Sequence, residues 1–159
     1  MTSELVLIAL IALPFVGSVI ALFIPDAARS GAALLAGAIA LTGLGITVGY
    51  YPRITDGGVV IHVIEWLPDL GLNIVIRLSG LSWLFTVMIT GIGLLVVIYA
   101  RYYMSPKDPV PRFFSFFLAF MGAMLGFVLS GNLVQLVIFW ELTSIFSFLL
   151  VGYWHQNAN

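Results

Sequence analysis

An all-α integral membrane fold, with about five transmembrane helices and a short extracytoplasmic β-hairpin between helices 2 and 3, is what this sequence predicts. Three observations carry that prediction. Of the 159 residues, 62% are hydrophobic and only 8% charged, and mean hydropathy is +1.15; a soluble domain holds about 25% charged residues. The few charges separate apolar runs of roughly 17–25 residues, the length that lets a helix cross a bilayer. One segment, 53–77, departs from this pattern and reads as short β-branched runs between turn residues.

The spans follow from the punctuation. Leu5–Ile24 is the first, ended by Pro25-Asp26, and Gly31–Tyr51 the second, closed by Pro52-Arg53. Leu78–Ala100 is the third, followed by Arg101. Phe113 to Trp140 contains no charge, and a helix through all of it and the apolar residues beyond would be implausibly long. Ser130-Gly131-Asn132 is therefore read as a tight turn that splits a fourth span, Phe113–Ser130, from a fifth, Leu133–Tyr153. The N-terminal run has no basic leader and exceeds the apolar core of a signal peptide, so it reads as a retained span.

Between the second and third spans, Val59–Ile64 and Leu72–Arg77 form two short strands, with turns at Asp56-Gly57-Gly58 and Pro68–Gly71. A lone hairpin is marginal in water, so this one should rest on helix ends or on a neighbouring subunit. His62 and Glu65 lie in it and read as surface strand residues before any proton-access role. The loop Arg101–Arg112 carries three prolines and interrupts the helices, with Tyr99, Tyr102 and Tyr103 at a membrane interface. Gly45-x-x-x-Gly49 and Gly122-x-x-x-Gly126 are small-residue faces that let helices approach. Thr86 and Thr90 should bond back to their own helix.

Basic residues set the orientation. Arg29, Arg101, Lys107 and Arg112 fall on one side, and Arg53 and Arg77 on the other. The richer side is cytoplasmic by the positive-inside rule, which puts the N-terminus outside and the C-terminus of this chain inside a plasma membrane.

One residue stands out chemically. Glu141 is the only charged residue of the fifth span and lies about two residues, or ~3 Å, from its midpoint. An ionised carboxylate at that depth costs ~2.5–3.5 kcal/mol or more, and such residues usually find a partner and serve an ion or proton path. No Lys or Arg in the span can pair with it, so it needs a partner from another helix or must be neutral part of the time. Ser144 at i+3 shares its helix edge, and Ser147 continues by a further i+3 step; a hydroxyl there can bond the carboxyl or hold a water. Asn132 and Gln135 form a second polar pair at the outer end, so the helix reads as one lining a hydrated path.

Other chemistries are poorly supplied. There is no Cys, and the two histidines, 62 and 155, are far apart, so neither a metal site nor a cofactor is expected. No phosphate loop or hydrolytic triad is visible. A net charge of −1 without a basic run gives no reason to expect a nucleic-acid partner.

Trp140-Glu141-Leu142-Thr143-Ser144, followed by Phe148–Trp154, resembles the antiporter-like membrane proteins, and most nearly the large A-type component of Mrp-type Na⁺(K⁺)/H⁺ antiporters. The family is shared with the membrane arm of respiratory complex I. Leu78-Ser79-Gly80-Leu81-Ser82 opening the third span and Arg112-Phe113-Phe114 opening the fourth fit the same order. Ser79 departs from it, standing where many members carry Asp. The resemblance implies that 1–112 are three leader helices with the external hairpin, and that 113–159 are the first two helices of an inverted repeat that continues past this chain. It also implies that Glu141 is half of a proton-transfer pair whose lysine lies beyond residue 159. The partners implied are the bilayer, the remaining helices of the same subunit, other complex subunits, and protons with Na⁺ or K⁺. The alternatives are a proton-pumping subunit of a complex I-like NADH dehydrogenase, and a non-transporting scaffold or assembly protein.

Overall fold

The structure, a computed structural model, describes residues 2–67, 72–105 and 108–153. Its order is α1 (Thr2–Leu22), a 3₁₀ turn (Asp26–Ala28), α2 (Arg29–Gly49), the single turn α3 (Tyr51–Ile54), β1 (Val60–Leu67), β2 (Leu72–Leu78), α4 (Gly80–Tyr103), α5 (Val110–Val128) and α6 (Leu133–Gly152). The five long helices are each apolar and long enough to cross a membrane. The chain is a multi-pass membrane protein.

The ends of the spans differ from the sequence reading for local reasons. Leu78 pairs with Val60 in the hairpin, so α4 starts two residues later, where Ser82 accepts a hydrogen bond from the Ser79 backbone N–H (2.7 Å). Ser79 is thus the N-cap of α4, a position that suits Ser and Asp alike. Its other end runs on to Tyr103 with Arg101 in the last turn, where a cation complements the exposed carbonyls. Helix α5 begins at Val110 with Pro111 in its first turn, where no backbone N–H is needed. Pro52 likewise opens α3 rather than only closing α2.

Helix α5 is the centre of the bundle, packing on α1, α2, α4 and α6. Phe114, Phe117, Leu118, Met121 and Leu125 from α5 meet an alanine stripe of α2, Ala32, Ala33, Ala36 and Ala40, with Val97 and Ala100 of α4. Small side chains on α2 are what let three helices converge on one set of large ones. Between α1 and α5 the buried hydroxyls of Ser18 and Ser115 bond each other at 3.1 Å.

The glycine pairs behave differently. A Cβ at Gly122 would meet the Phe15 ring at 3.0 Å, and one at Gly126 would overlap the Phe139 ring. These two therefore permit the approach of α1 and α6 to α5. Gly45 and Gly49, by contrast, face open space among the described residues, so the α2 small-residue face does no packing there. Thr86 and Thr90 donate to Ser82 O and Thr86 O, at 2.7 and 2.8 Å, as expected of hydroxyls bonding back.

The hairpin is antiparallel, with Val60 opposite Leu78 and Ile64 opposite Ile74, and an irregularity between Ile64 and Leu67. The turn expected at Pro68–Gly71 lies outside the described residues. Ile76 and Leu78 point into a second apolar cluster with Leu7, Leu10, Tyr50, Ile54 and Leu129. The hairpin thus rests on the helix ends and caps the bundle.

Candidate functional site

Helix α6 is fixed at its start by Asn132, whose extended backbone and Oδ1 cap the helix by accepting from the Gln135 N–H (2.8 Å). The amide of the same side chain donates to Asn73 O on β2 (2.5 Å). Gln135 Oε1 accepts from the Val75 N–H (2.9 Å). The backbone completes the seam, with Gly131 N–H to Val75 O at 2.7 Å and Arg77 N–H to Leu129 O at 2.8 Å. The α5–α6 turn therefore lies along the free edge of β2 almost as a third strand. Asn132 and Gln135, read from sequence as part of a hydrated path, are used here to join helix and hairpin.

Nine residues after the cap, about 13 Å along the axis, stands Glu141. It is exposed on the side of α6 turned away from α5, among Val137, Ile138, Ile145 and Phe148, all at least 49% exposed. No hydrogen bond or ion pair reaches its carboxylate among the described residues. The opposite side of α6 holds the helix in place. Phe139 lies over Gly126, Phe146 approaches Phe15 with 6.4 Å between ring centroids, and Tyr153 meets Phe113 edge-on at 5.6 Å.

The serines follow the geometry of the helix. At 100° per residue, each i+3 step turns back by 60°, so the path from Glu141 through Ser144 to Ser147 winds toward α5. Ser144 and Ser147 line a cavity of about 380 Å³ with Trp140, Thr143, Phe120, Met124 and Phe127. Glu141 is not part of its wall. Thr143, which the sequence reading left without a role, brings a third hydroxyl, bonded to Trp140 O at 2.6 Å. Its signal was available, since Thr143, Ser144 and Ser147 crowd one sector of a helix with few other polar groups. Phe120, Met124 and Phe127 also belong to a larger apolar groove of about 870 Å³ between α4 and α5.

A second polar cluster escaped the sequence reading because its members are distant in the chain. At the end of the bundle opposite the hairpin, Tyr153 is buried within the electrostatic reach of Asp108, Asp26 and Arg112. Burial, then the two carboxylates, push its hydroxyl from the ordinary 10.0 up to about 12, with Arg112 opposing. His62 is half-buried and Glu65 exposed on β1, away from α6. His155 lies outside the described residues.

Comparison with known proteins follows this geometry. The probable K⁺/H⁺ antiporter A/B subunit of Rhizobium meliloti (strain 1021) is 57% identical over 157 residues, which is 99% of this chain and 16% of that protein. The Na⁺/H⁺ antiporter A-type subunit of Alkalihalophilus pseudofirmus is 50% identical over 111 residues, 69% of this chain and 14% of that protein. The solved Mrp complex from Dietzia sp. DQ12-45-1b matches with TM-score 0.74 and 27% identity, over 91% of this chain and 16% of the matched one. The chain belongs to the A-type family of Mrp antiporter subunits. It corresponds to the N-terminal part of such a protein, so most of the length of its relatives has no counterpart in these 159 residues. Residues 66–114 also match the family described as NADH-Ubiquinone oxidoreductase (complex I), chain 5 N-terminus. An archaeal membrane-bound sulfane sulfur reductase shares the fold, with TM-score 0.72 at 21% identity over 89% of this chain and 22% of the matched one.

Proposed function

We propose that this chain forms the opening of a transporter subunit that exchanges Na⁺ or K⁺ for protons across the plasma membrane, and that Glu141 is its proton-binding and relay group. The observation that carries the reading is the position of Glu141. A carboxylate in the middle of a membrane-length helix, on the face that no described element covers, is costly unless a partner approaches from that side. The neighbouring face of α6, with Ser144, Ser147 and Thr143 around a small cavity, offers hydroxyls that can hold water for a proton on its way to or from the carboxyl. Residues 1–112 act as leader helices and hairpin, and 113–159 as the first two helices of the antiporter-type repeat. The N-terminus lies outside and the C-terminal end of α6 in the cytoplasm, with further helices of the same protein and other members of the complex as partners.

Mechanistically, Glu141 takes a proton when the partner on its open side is neutral or absent, and releases it when a cation there favours the carboxylate. Alternation between these states couples proton passage to cation passage. The match of 66–114 to a complex I family favours one second reading, in which the same machinery pumps protons under redox drive. Transport powered by an imposed Na⁺ or K⁺ gradient alone, without NADH, separates the two.

The test is Glu141→Gln in the full-length protein within its complex, assayed for cation-driven proton movement in everted vesicles. We expect exchange to vanish with the complex assembled at its normal level, and Glu141→Asp to keep part of it. Normal exchange by the Gln variant sinks the proposal and favours a scaffold role.

A further inference from the structure

We infer that Asn132 and Gln135 are positioning residues, which clamp the outer end of α6 to the free edge of β2 and so fix the depth and rotation at which Glu141 is presented. The inference rests on the reading of Glu141 as the proton site. It starts from how little else defines the rotation of α6. The helix packs chiefly on α5 and on β2, and Gln135 is the buried member of its described residues. In a bilayer, lipid tails are as apolar as the side chains they replace, so an apolar helix resting on one neighbour gains little from any particular rotation. Phe139 and Phe146 give it a contact side, but they are contacts without direction.

Hydrogen bonds have direction, and the α6 start has several. The Val75 N–H reaches Gln135 Oε1 at 2.9 Å and the Asn132 Nδ2 reaches Asn73 O at 2.5 Å. Both β2 groups lie on the edge that β1 does not occupy, and both lose their partner if α6 turns by one residue, since that swings a side chain through 100°. Buried backbone groups left without partners are strongly disfavoured, which makes the observed rotation the one that is kept. From Gln135 to Glu141 is six residues, about 9 Å along a continuous helix, so the orientation set at the start is passed to the carboxylate.

The hairpin can serve as an anchor because it is itself held. Ile76 and Leu78 sit in the cluster formed with Leu7 and Leu10 of α1, Tyr50, and Ile54 of α3. The clamp therefore ties α6 to the leader helices, on which it otherwise hardly packs. This gives the hairpin a task beyond capping the bundle: it transmits the frame of the leader to the helix that bears the chemistry.

The acceptor on residue 135 makes the inference testable. Gln135→Leu removes the acceptor for the Val75 N–H, whereas Gln135→Glu keeps a carboxyl oxygen there, near a helix N-terminus that favours negative charge. In the full-length protein within its complex, Gln135→Leu should lower the maximal exchange rate roughly ten- to a hundred-fold. The apparent KM for the cation should stay unchanged, and Gln135→Glu should recover most of the rate. Hydrogen exchange at the Val75 amide should rise in the Leu variant and return to its wild-type value in the Glu variant. Wild-type rate in an assembled Gln135→Leu complex overturns the inference, and so does a Glu variant as impaired as the Leu variant. If the Leu variant does not assemble, Asn132→Asp decides. It keeps the cap acceptor for the Gln135 N–H but loses the donor to Asn73 O, and an unchanged rate there overturns the inference. Because Glu141→Gln is assayed in the same vesicles, failure of the proton-site reading shows as exchange surviving that change. Failure of the clamp shows as exchange surviving Gln135→Leu.

Discussion

Helices α5 and α6 follow each other in the chain, are 19 and 20 residues long, and are both apolar enough to cross a membrane. One is enclosed and the other is open. In α5, Phe114 and Leu118 are fully buried along with most of the apolar stretch, while in α6 the buried residue is Gln135 at its start and the rest is half-buried against α5 or exposed. The difference is not one of apolarity. Helix α5 carries Ser115, Ala119, Gly122, Ala123 and Gly126, and three other spanning helices besides α6 reach its surface. Helix α6 presents mostly bulky side chains, with Gln135 at its start, Thr143, Ser144 and Ser147 beside the cavity it shares with α5, and Glu141 on its uncovered side. Membrane residence is thus a property of composition, whereas enclosure is a property of which faces are small enough to be approached. The open helix carries Glu141, which places the one mid-span carboxylate where a further partner can reach it.

This contrast can be broken or sharpened by substitution, beginning with the largest effect on stability. Phe114→Ala empties a fully enclosed site and should destabilise the protein by about 3–5 kcal/mol in a denaturation series. Phe148→Ala, on the open face of α6 at 76% exposure, should cost within about 0.5 kcal/mol in a fragment of residues 1–159, if nothing covers it. A large cost for Phe148→Ala in the full-length protein would show that a later segment seats itself beside Glu141.

A smaller effect separates the two glycine pairs. Gly126→Val drives a side chain into the Phe139 ring and should cost about 1–3 kcal/mol or more, parting α6 from α5. Gly49→Val, facing open space, should stay within about 0.5 kcal/mol in thermal melts. Equal costs at both positions would mean that the outer face of α2 is covered in the assembled complex.

The smallest effect appears only in alkali. The Tyr153 hydroxyl is raised to about 12 in the folded chain, against 10.0 ordinarily. The folded state therefore holds its proton more tightly than the unfolded one, so stability is unaffected below pH 10 and declines as pH rises from there toward 12. Tyr153→Phe should remove that part of the alkaline decline. Melting temperatures of the two proteins, equal in their pH dependence at neutrality and diverging above about pH 10, are the check.

Much of this was legible in the chain. The five spans, the hairpin and the mid-span depth of Glu141 follow from the spacing of charges, β-branched runs and turn residues, because each is a local property of a helix or strand in a bilayer. The ends of the spans were less legible. Leu78 could open a helix or close a strand, and its pairing with Val60 decided the matter. The roles of Asn132 and Gln135 were misread for the same reason: a polar pair on a helix looks alike whether it faces water or the edge of a strand sixty residues away.

What the sequence determined by itself is that the chain lives in a membrane, how often it crosses, and that one carboxylate is carried to the middle of the fifth span. Hydrophobic length and the cost of a buried charge depend on residues that are neighbours in the chain. Only the tertiary structure decided that α5 is enclosed, that Gly122 and Gly126 pack while Gly45 and Gly49 do not, and that the hairpin grips the start of α6. It also decided that Ser144 and Ser147 turn toward α5 while Glu141 faces away. Those outcomes depend on which helix meets which, and in a bilayer apolar faces are nearly interchangeable, so the choice falls to close fit and to directional hydrogen bonds between residues far apart in sequence.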